Sequence, residues 1–250
     1  MIFLYDGTFE GFLSAVFDAF LVMEDVEIEK KAGFQPRFFA ETREVGTSPE
    51  KAGKVAAKIL EVCGNRGFSA IVYIFLSEVE NCETCDFYLI KAVLKHGKKA
   101  FFCFQDEKIA RAMMMRKKVS REYDKMLGLI RFSELSSGIF YAPCEPEFNI
   151  LPLIVPHFAE RLSGTKWMIH DLGRGIAVHH AEGKVENVEF IDEITSHLNM
   201  ETLIGKSENE SGFAKMWQDY FRIIAIESRM NPGLQRRCMP QRYWKYLTEI

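Results

Sequence analysis

The hydrophobic and polar positions change period several times along the chain, and each change marks an element. Ile2, Phe3, Leu4 and Tyr5 form a short apolar run that reads as a buried strand, turned by Asp6-Gly7-Thr8. Phe9, Phe12, Leu13, Val16, Phe17, Phe20 and Leu21 then follow helical spacing, with Thr8 as N-cap and Glu10 in the first turn. A polar stretch from Glu24 to Thr47 is broken by Gly33, Pro36 and Gly46. Ser48-Pro49-Glu50 starts a second helix with apolar Ala52, Val55, Ala56, Ile59 and Leu60, and Gly64 ends it. Residues 68 to 97 are ambiguous, because the apolar run at 71–76 fits a strand or a buried helix equally by periodicity. Cys85 to Lys95 reads as a helix closed by Gly97.

The clearest helical pattern is Lys108 to Phe132. Ala112, Met113, Val119, Tyr123, Met126, Leu127 and Ile130 share one arc, and Arg111, Lys118, Arg121 and Lys125 share another. Arg116 and Arg131 fall in or beside the apolar arc, so each needs a carboxylate partner or a route out of the core. Strands are expected at Gly138–Cys144, Lys166–His170, Ile176–His180 and Val185–Phe190. Helices are expected at Ile150–Leu162 and Phe213–Arg229, the latter broken by Asn231-Pro232-Gly233. The pattern predicts an α+β fold: one helix-rich domain over residues 1–250. Its small, mostly antiparallel sheet would combine the N-terminal strand with the strands of 138–190.

Composition narrows the class. At 250 residues, 48% hydrophobic and 27% charged, the chain can bury a full core and is neither disordered nor fibrous. The 21 Phe fall largely on expected core faces. The N-terminus lacks a basic n-region and a cleavage site, and no apolar run approaches the ~20 residues of a membrane span. Six scattered cysteines suit reduced thiols, so a cytoplasmic location and no membrane partner are expected. Cys82-x-x-Cys85 has no second pair to complete a zinc site, and Glu83 and Asp86 would raise its thiol pKa values. Two surface or half-buried thiols are expected, with neither metal nor cofactor. His170, His179 and His180 lie on one expected hairpin, where adjacent residues face opposite ways, and read as a polar strand face. Walker A, G-x-G-x-x-G, H-E-x-x-H and G-x-S-x-G patterns do not occur, which disfavours NTPase, dehydrogenase, zincin and serine hydrolase chemistry.

The net charge of −3 conceals strong segregation. Residues 1–30 carry seven acids and one base, residues 108–131 eight bases and two acids, and residues 229–245 five bases and no acid. Basic residues contact phosphates, and interleaved aromatics can stack on unpaired bases. The candidate nucleic-acid contacts are therefore Arg111, Lys118, Arg121 and Lys125, with Arg236, Arg237, Arg242 and Trp244 as a second group. A catalytic alternative gathers Glu145, Glu147 and Asp171 near Arg174 and His157, which could supply acid–base and phosphate-holding groups. Each of those carboxylates has an ordinary competing role as the partner of an arginine such as Arg131 or Arg161.

Several strings resemble a bacterial family of DNA metabolism proteins, a domain of unknown function. They are Tyr5 to Gly11, Arg121 to Phe132, Ala142 to Glu147, Pro152 to Arg161, Trp167 to Asp171 with Arg174, Trp217 to Phe221, and Asn231 to Gln235 through Pro240 to Lys245. The resemblance implies a helical reading for Phe68 to Leu76. It also implies a DNA repair or modification accessory that binds DNA, single-stranded or damaged, and a radical-SAM protein. Related domains are fused to a uracil-DNA glycosylase-like domain; this chain carries neither partner's signature and resembles the stand-alone form. The family offers no catalytic residues to transfer. An enzyme acting on nucleic acid and a non-catalytic protein–protein scaffold are the alternatives.

Overall fold

The computed structural model describes residues 1–22, 25–190 and 193–249. Backbone contacts group the chain into two compact units, Met1–Ser120 and Arg121–Ile250. The α+β class is as expected from the sequence.

The first unit opens with β1 (Ile2–Tyr5), α1 (Phe9–Ala19), β2 (Glu27–Lys30) and β3 (Thr42–Glu44). These strands form a separate parallel sheet in the order β2-β1-β3, so the N-terminal strand does not join the strands of 138–190. The reason is visible in β1, whose four residues are all buried. A strand buried on both faces needs a neighbour on each edge and helical cover, the setting of parallel sheets. α1 supplies the crossover to β2 that a parallel pair requires. β2 escaped the sequence reading because only Ile28 of Glu-Ile-Glu-Lys is buried, and β3 because all of Thr42–Glu44 is exposed.

The turn after β1 is held by side chains. Asp6 Oδ1 accepts from the Thr8 N–H at 2.9 Å and from the Thr8 hydroxyl at 2.7 Å, while Thr47 Oγ1 donates to Asp6 Oδ2 at 2.5 Å. Thr8 in turn caps α1 by accepting from the Gly11 N–H. A Cβ on Gly11 would lie 2.1 Å from Asp6 Oδ1, so this arrangement requires glycine there.

α2 (Pro49–Phe75) is broken at Gly64, whose φ of 69° lies in the left-handed region. Gly64 thus ends one helical segment as expected, and Phe68–Phe75 is helical, which settles the ambiguous run. α3 (Cys82–His96), a 3-10 turn (Gly97–Phe102) and the start of α4 (Glu107–Leu129) complete this unit. Phe9, Phe12 and Phe75 pack edge or tilted at 5.1–6.1 Å, and Phe3, Tyr5, Ile28, Ile59, Ile71, Ile74 and Phe87 are buried with them.

The second unit contains the end of α4, then β4 (Ser133–Glu134), β5 (Phe140–Cys144), α5 (Leu151–Arg161), β6 (Trp167–Asp171), β7 (Ile176–Ala181) and β8 (Lys184–Val188). The sheet runs β4-β5-β6-β7-β8 in sequence order. Only β5 and β6 pair parallel, because α5 lies between them in the chain; the remaining pairs are antiparallel. Trp167 is fully buried and stacks on His180 at 5.0 Å and 7°.

Short helices α6 (Glu193–Ser196) and α7 (Met200–Ile204) precede α8 (Glu210–Ile224) and α9 (Pro232–Cys238), and a 3-10 turn (Gln241–Tyr246) follows. The Asn231-Pro232 break is also a start: the Asn231 side chain accepts from the Leu234 N–H, with Pro232 in the first turn. Among the described residues no helix is long and apolar enough to cross a membrane.

Candidate functional site

The two groups of residues singled out in the second unit, carboxylates and C-terminal bases, are bonded to one another. Their centre is Glu122, buried on α4 within a predominantly basic run. Its Oε1 accepts from the Glu147 N–H at 2.9 Å and its Oε2 from the Phe148 N–H at 2.8 Å. Arg242 Nη2 donates to Glu122 at 2.9 Å, and the Tyr243 hydroxyl donates to the same oxygen. The other Arg242 nitrogen, Nη1, pairs with Glu147 at 2.8 Å. Lys245 pairs with Glu145 at 2.8 Å, and the Tyr246 hydroxyl donates to it at 2.6 Å. Burial works to raise the Glu145 pKa, but Lys245 and Tyr246 hold it below its ordinary value. Burial, then Glu145, pushes the Tyr246 phenol up.

Asp171 ends β6, fully buried, beside the turn to β7. Its Oδ1 accepts from the Gly173 and Arg174 N–H groups at 3.1 and 3.2 Å, and Arg174 Nη1 donates to Oδ2 at 3.0 Å. The Arg174 guanidinium also donates to the carbonyls of Pro146 and Glu147, at 3.0 and 2.9 Å. Burial pushes the Asp171 pKa up, and Arg174 and the turn's N–H groups offset this only in part. His157 stands apart. It lies on α5 edge-on to Phe158, and its buried Nε2 has no hydrogen-bond partner among the described residues. The structure therefore brings Glu145, Glu147, Asp171 and Arg174 together and engages each of them with ion-pair partners or backbone groups. The partners differ from those the sequence offered: Arg174, Arg242 and Lys245 serve these carboxylates, while Arg131 pairs with Glu249 at 2.5 Å.

A family model described as a domain of unknown function, DUF4130, matches residues 80–249. The chain belongs to the DUF4130 family. No curated protein matches it. Every member of the Glu122 network lies inside the DUF4130 match, as do α8 and α9.

The candidate phosphate contacts in the DUF4130 region separate into engaged and open residues. Arg242 is committed to Glu122 and Glu147, and Trp244 donates its Nε1–H to the Met239 carbonyl at 2.9 Å. Arg111, in the first unit, donates to the Glu80 carbonyl at 2.8 Å, while Lys118 is exposed. Arg121, Arg236 and Arg237 are exposed and carry no ion pair among the described residues. Lys125 Nζ reaches the Arg237 carbonyl at 3.4 Å, which sets Lys125 against the α9 backbone that carries Arg236 and Arg237.

Other sequence candidates are structural. His170 is buried between the Tyr141 hydroxyl at 2.8 Å and the Ser196 carbonyl at 2.7 Å, and burial lowers its pKa. Cys82 and Cys85 are buried rather than surface or half-buried thiols, and burial first, with the neighbouring Glu83 and Asp86, raises the Cys82 pKa. Among the described residues no cluster of His, Cys, Asp and Glu is placed to hold a metal. Sequence reasoning missed Glu122, Tyr243 and Glu249 as organising groups. The one available signal for Glu122 was its being one of two acids among eight bases, with apolar neighbours at helical spacing.

Proposed function

We propose that this DUF4130 chain is a non-catalytic accessory protein of DNA metabolism that holds nucleic acid through its phosphates, working in the cytoplasm beside a radical-SAM partner. The observation that carries the reading is the contact of Lys125 with the Arg237 carbonyl, which sets the turn of α4 bearing Arg121 and Lys125 beside the backbone of α9 that bears Arg236 and Arg237. All four of these cations lack an acidic partner among the described residues, in a chain whose net charge is negative. A binding role is favoured over a hydrolytic one because the carboxylates offered for acid–base work are already engaged by cations and N–H groups.

The test is fluorescence-anisotropy titration of labelled single-stranded and duplex DNA between about 50 and 200 mM salt. Affinity should fall linearly on a double-logarithmic plot, and the Arg236→Ala/Arg237→Ala variant should flatten the slope by about two. Absence of binding at about 50 mM salt overturns the proposal. Copurification with the radical-SAM protein tests the partner separately.

A further inference from the structure

An open groove of about 910 Å³ runs between α8, the C-terminal end of α4 and α5 in the second unit. We propose that this groove receives the unpaired bases of a single nucleic-acid strand whose phosphates lie on the adjoining basic surface. The inference rests on the nucleic-acid reading above and adds to it the form of nucleic acid selected.

α8 is strongly amphipathic, yet none of its residues is buried. Phe213, Trp217 and Tyr220 stand at i, i+4 and i+7, and so form one stripe facing the groove, 61%, 41% and 53% exposed. The rings are held in place. Trp217 Nε1 donates to Glu249 at 3.1 Å, the Arg131 guanidinium lies 5.8 Å from its ring, and the Tyr220 ring is 5.8 Å away at a 32° tilt. Flat, open, anchored rings are the platforms on which bases stack regardless of sequence.

Charge decides which occupant fits. Arg131 and Arg161 line the groove; Arg131 is neutralised by Glu249, while Arg161 is exposed and has no ion pair among the described residues. Glu210 also lines it; its carboxylate accepts from the neutral Glu134 N–H at 2.9 Å and keeps its charge, which offsets Arg161. The groove is thus apolar and aromatic with balanced charge, a lining for the rings themselves, while the anionic chain that carries them lies outside it along Arg121 and Lys125.

The approach supports the same occupant. Arg121, Lys125 and Gly128 lie at i, i+4 and i+7 along α4, so the basic stripe leads to Gly128, itself a groove residue. A Cβ on Gly128 would meet nothing within 4 Å. From Arg121 to Gly128 the helix rises about 10 Å, the length of roughly three stacked nucleotides.

The test compares two labelled oligonucleotides of equal charge at low salt: a thymidine decamer and an abasic decamer. The thymidine decamer should bind about tenfold more tightly and quench Trp217 emission, as stacking of one or two bases requires. Tyr220→Ala should remove most of that difference and leave affinity for the abasic decamer unchanged. Tyr220→Leu keeps apolar bulk at a surface site and should behave the same way, which guards against a folding defect in the alanine variant. Equal binding of the two decamers overturns the inference and leaves the phosphate reading standing, whereas binding of neither overturns both. A tenfold preference that survives both Tyr220 variants also overturns it, because the bases then stack elsewhere.

Discussion

Glu122 and Arg242 meet at 2.9 Å across 120 residues of sequence, one buried on α4 and the other in the 3-10 turn near the end of the matched region. Glu122 is charge-compensated by Arg242 and accepts further hydrogen bonds from two backbone N–H groups and the Tyr243 hydroxyl, so its removal takes the acceptor from four donors. Glu122→Ala should therefore destabilise the second unit by about 3 kcal/mol or more, from unsatisfied buried donors and a broken ion pair. Urea unfolding followed by tryptophan fluorescence reads it, and a loss below about 1 kcal/mol would show that water replaces the carboxylate.

Arg174 occupies a comparable place at the β6–β7 turn. Arg174→Ala would leave Asp171 buried with only the turn's N–H groups, at a cost of about 3 kcal/mol. Because burial already raises the Asp171 pKa, removing the arginine raises it further. A carboxyl with a raised folded-state pKa favours folding while protonated and loses that contribution as pH climbs through it. The variant should consequently be least impaired near pH 4 and most impaired at neutral pH, as thermal melts across that range would show.

Asp86 gives a cleaner pH prediction in the first unit. It is fully buried, neither carboxyl oxygen has a hydrogen-bond partner among the described residues, and burial first, then Glu83, pushes its pKa well above the ordinary range. Folding therefore favours the protonated form, and stability should decline as pH rises above about 4 until the folded-state value is passed. Asp86→Asn should raise the melting temperature at neutral pH and flatten that decline. A melting temperature lowered by the substitution would mean that the carboxylate has a charged partner.

Two phosphate candidates with similar sequence context should behave differently. Arg237→Ala should reduce the salt slope of DNA binding by about one, whereas Arg242→Ala should leave the slope nearly unchanged and instead lower stability. Equal effects on the slope would mean that Arg242 leaves Glu122 and Glu147 to meet the phosphate.

Thiol chemistry offers an independent check on burial. Of six cysteines, Cys103 and Cys238 are exposed, while Cys63, Cys82, Cys85 and Cys144 are buried. Two should react rapidly with a thiol-specific disulfide reagent in the native protein, and all six after denaturation. Rapid reaction of Cys82 or Cys85 would contradict their raised pKa values.

What could be read from sequence follows physical range. α1, the α2 start at Ser48-Pro49, the Gly64 break and the β6-β7-β8 hairpins rest on neighbours a few positions apart, and their caps, breakers and periods were legible. β2 and β3 were not, because an edge strand can present nearly all its residues to solvent and lose the alternation that marks it. β1 reads as a strand from its own residues, but its partners depend on those two. The site residues were legible as types and not as pairs. Glu145 and Lys245, or Glu122 and Arg242, share no local pattern, and only the fold closes the gap of 100 or 120 residues between them.

That gap has a consequence for how the chain is made. At roughly 5–20 residues per second, synthesis takes on the order of ten seconds to travel from Glu122 to Arg242. Throughout that interval Glu122 has been made and its counter-charge has not. The first unit, complete at Ser120, can finish folding on the ribosome, while the second must keep this carboxylate in water until residues 242 to 246 emerge. The same bonds that lock the finished unit thus delay its closure.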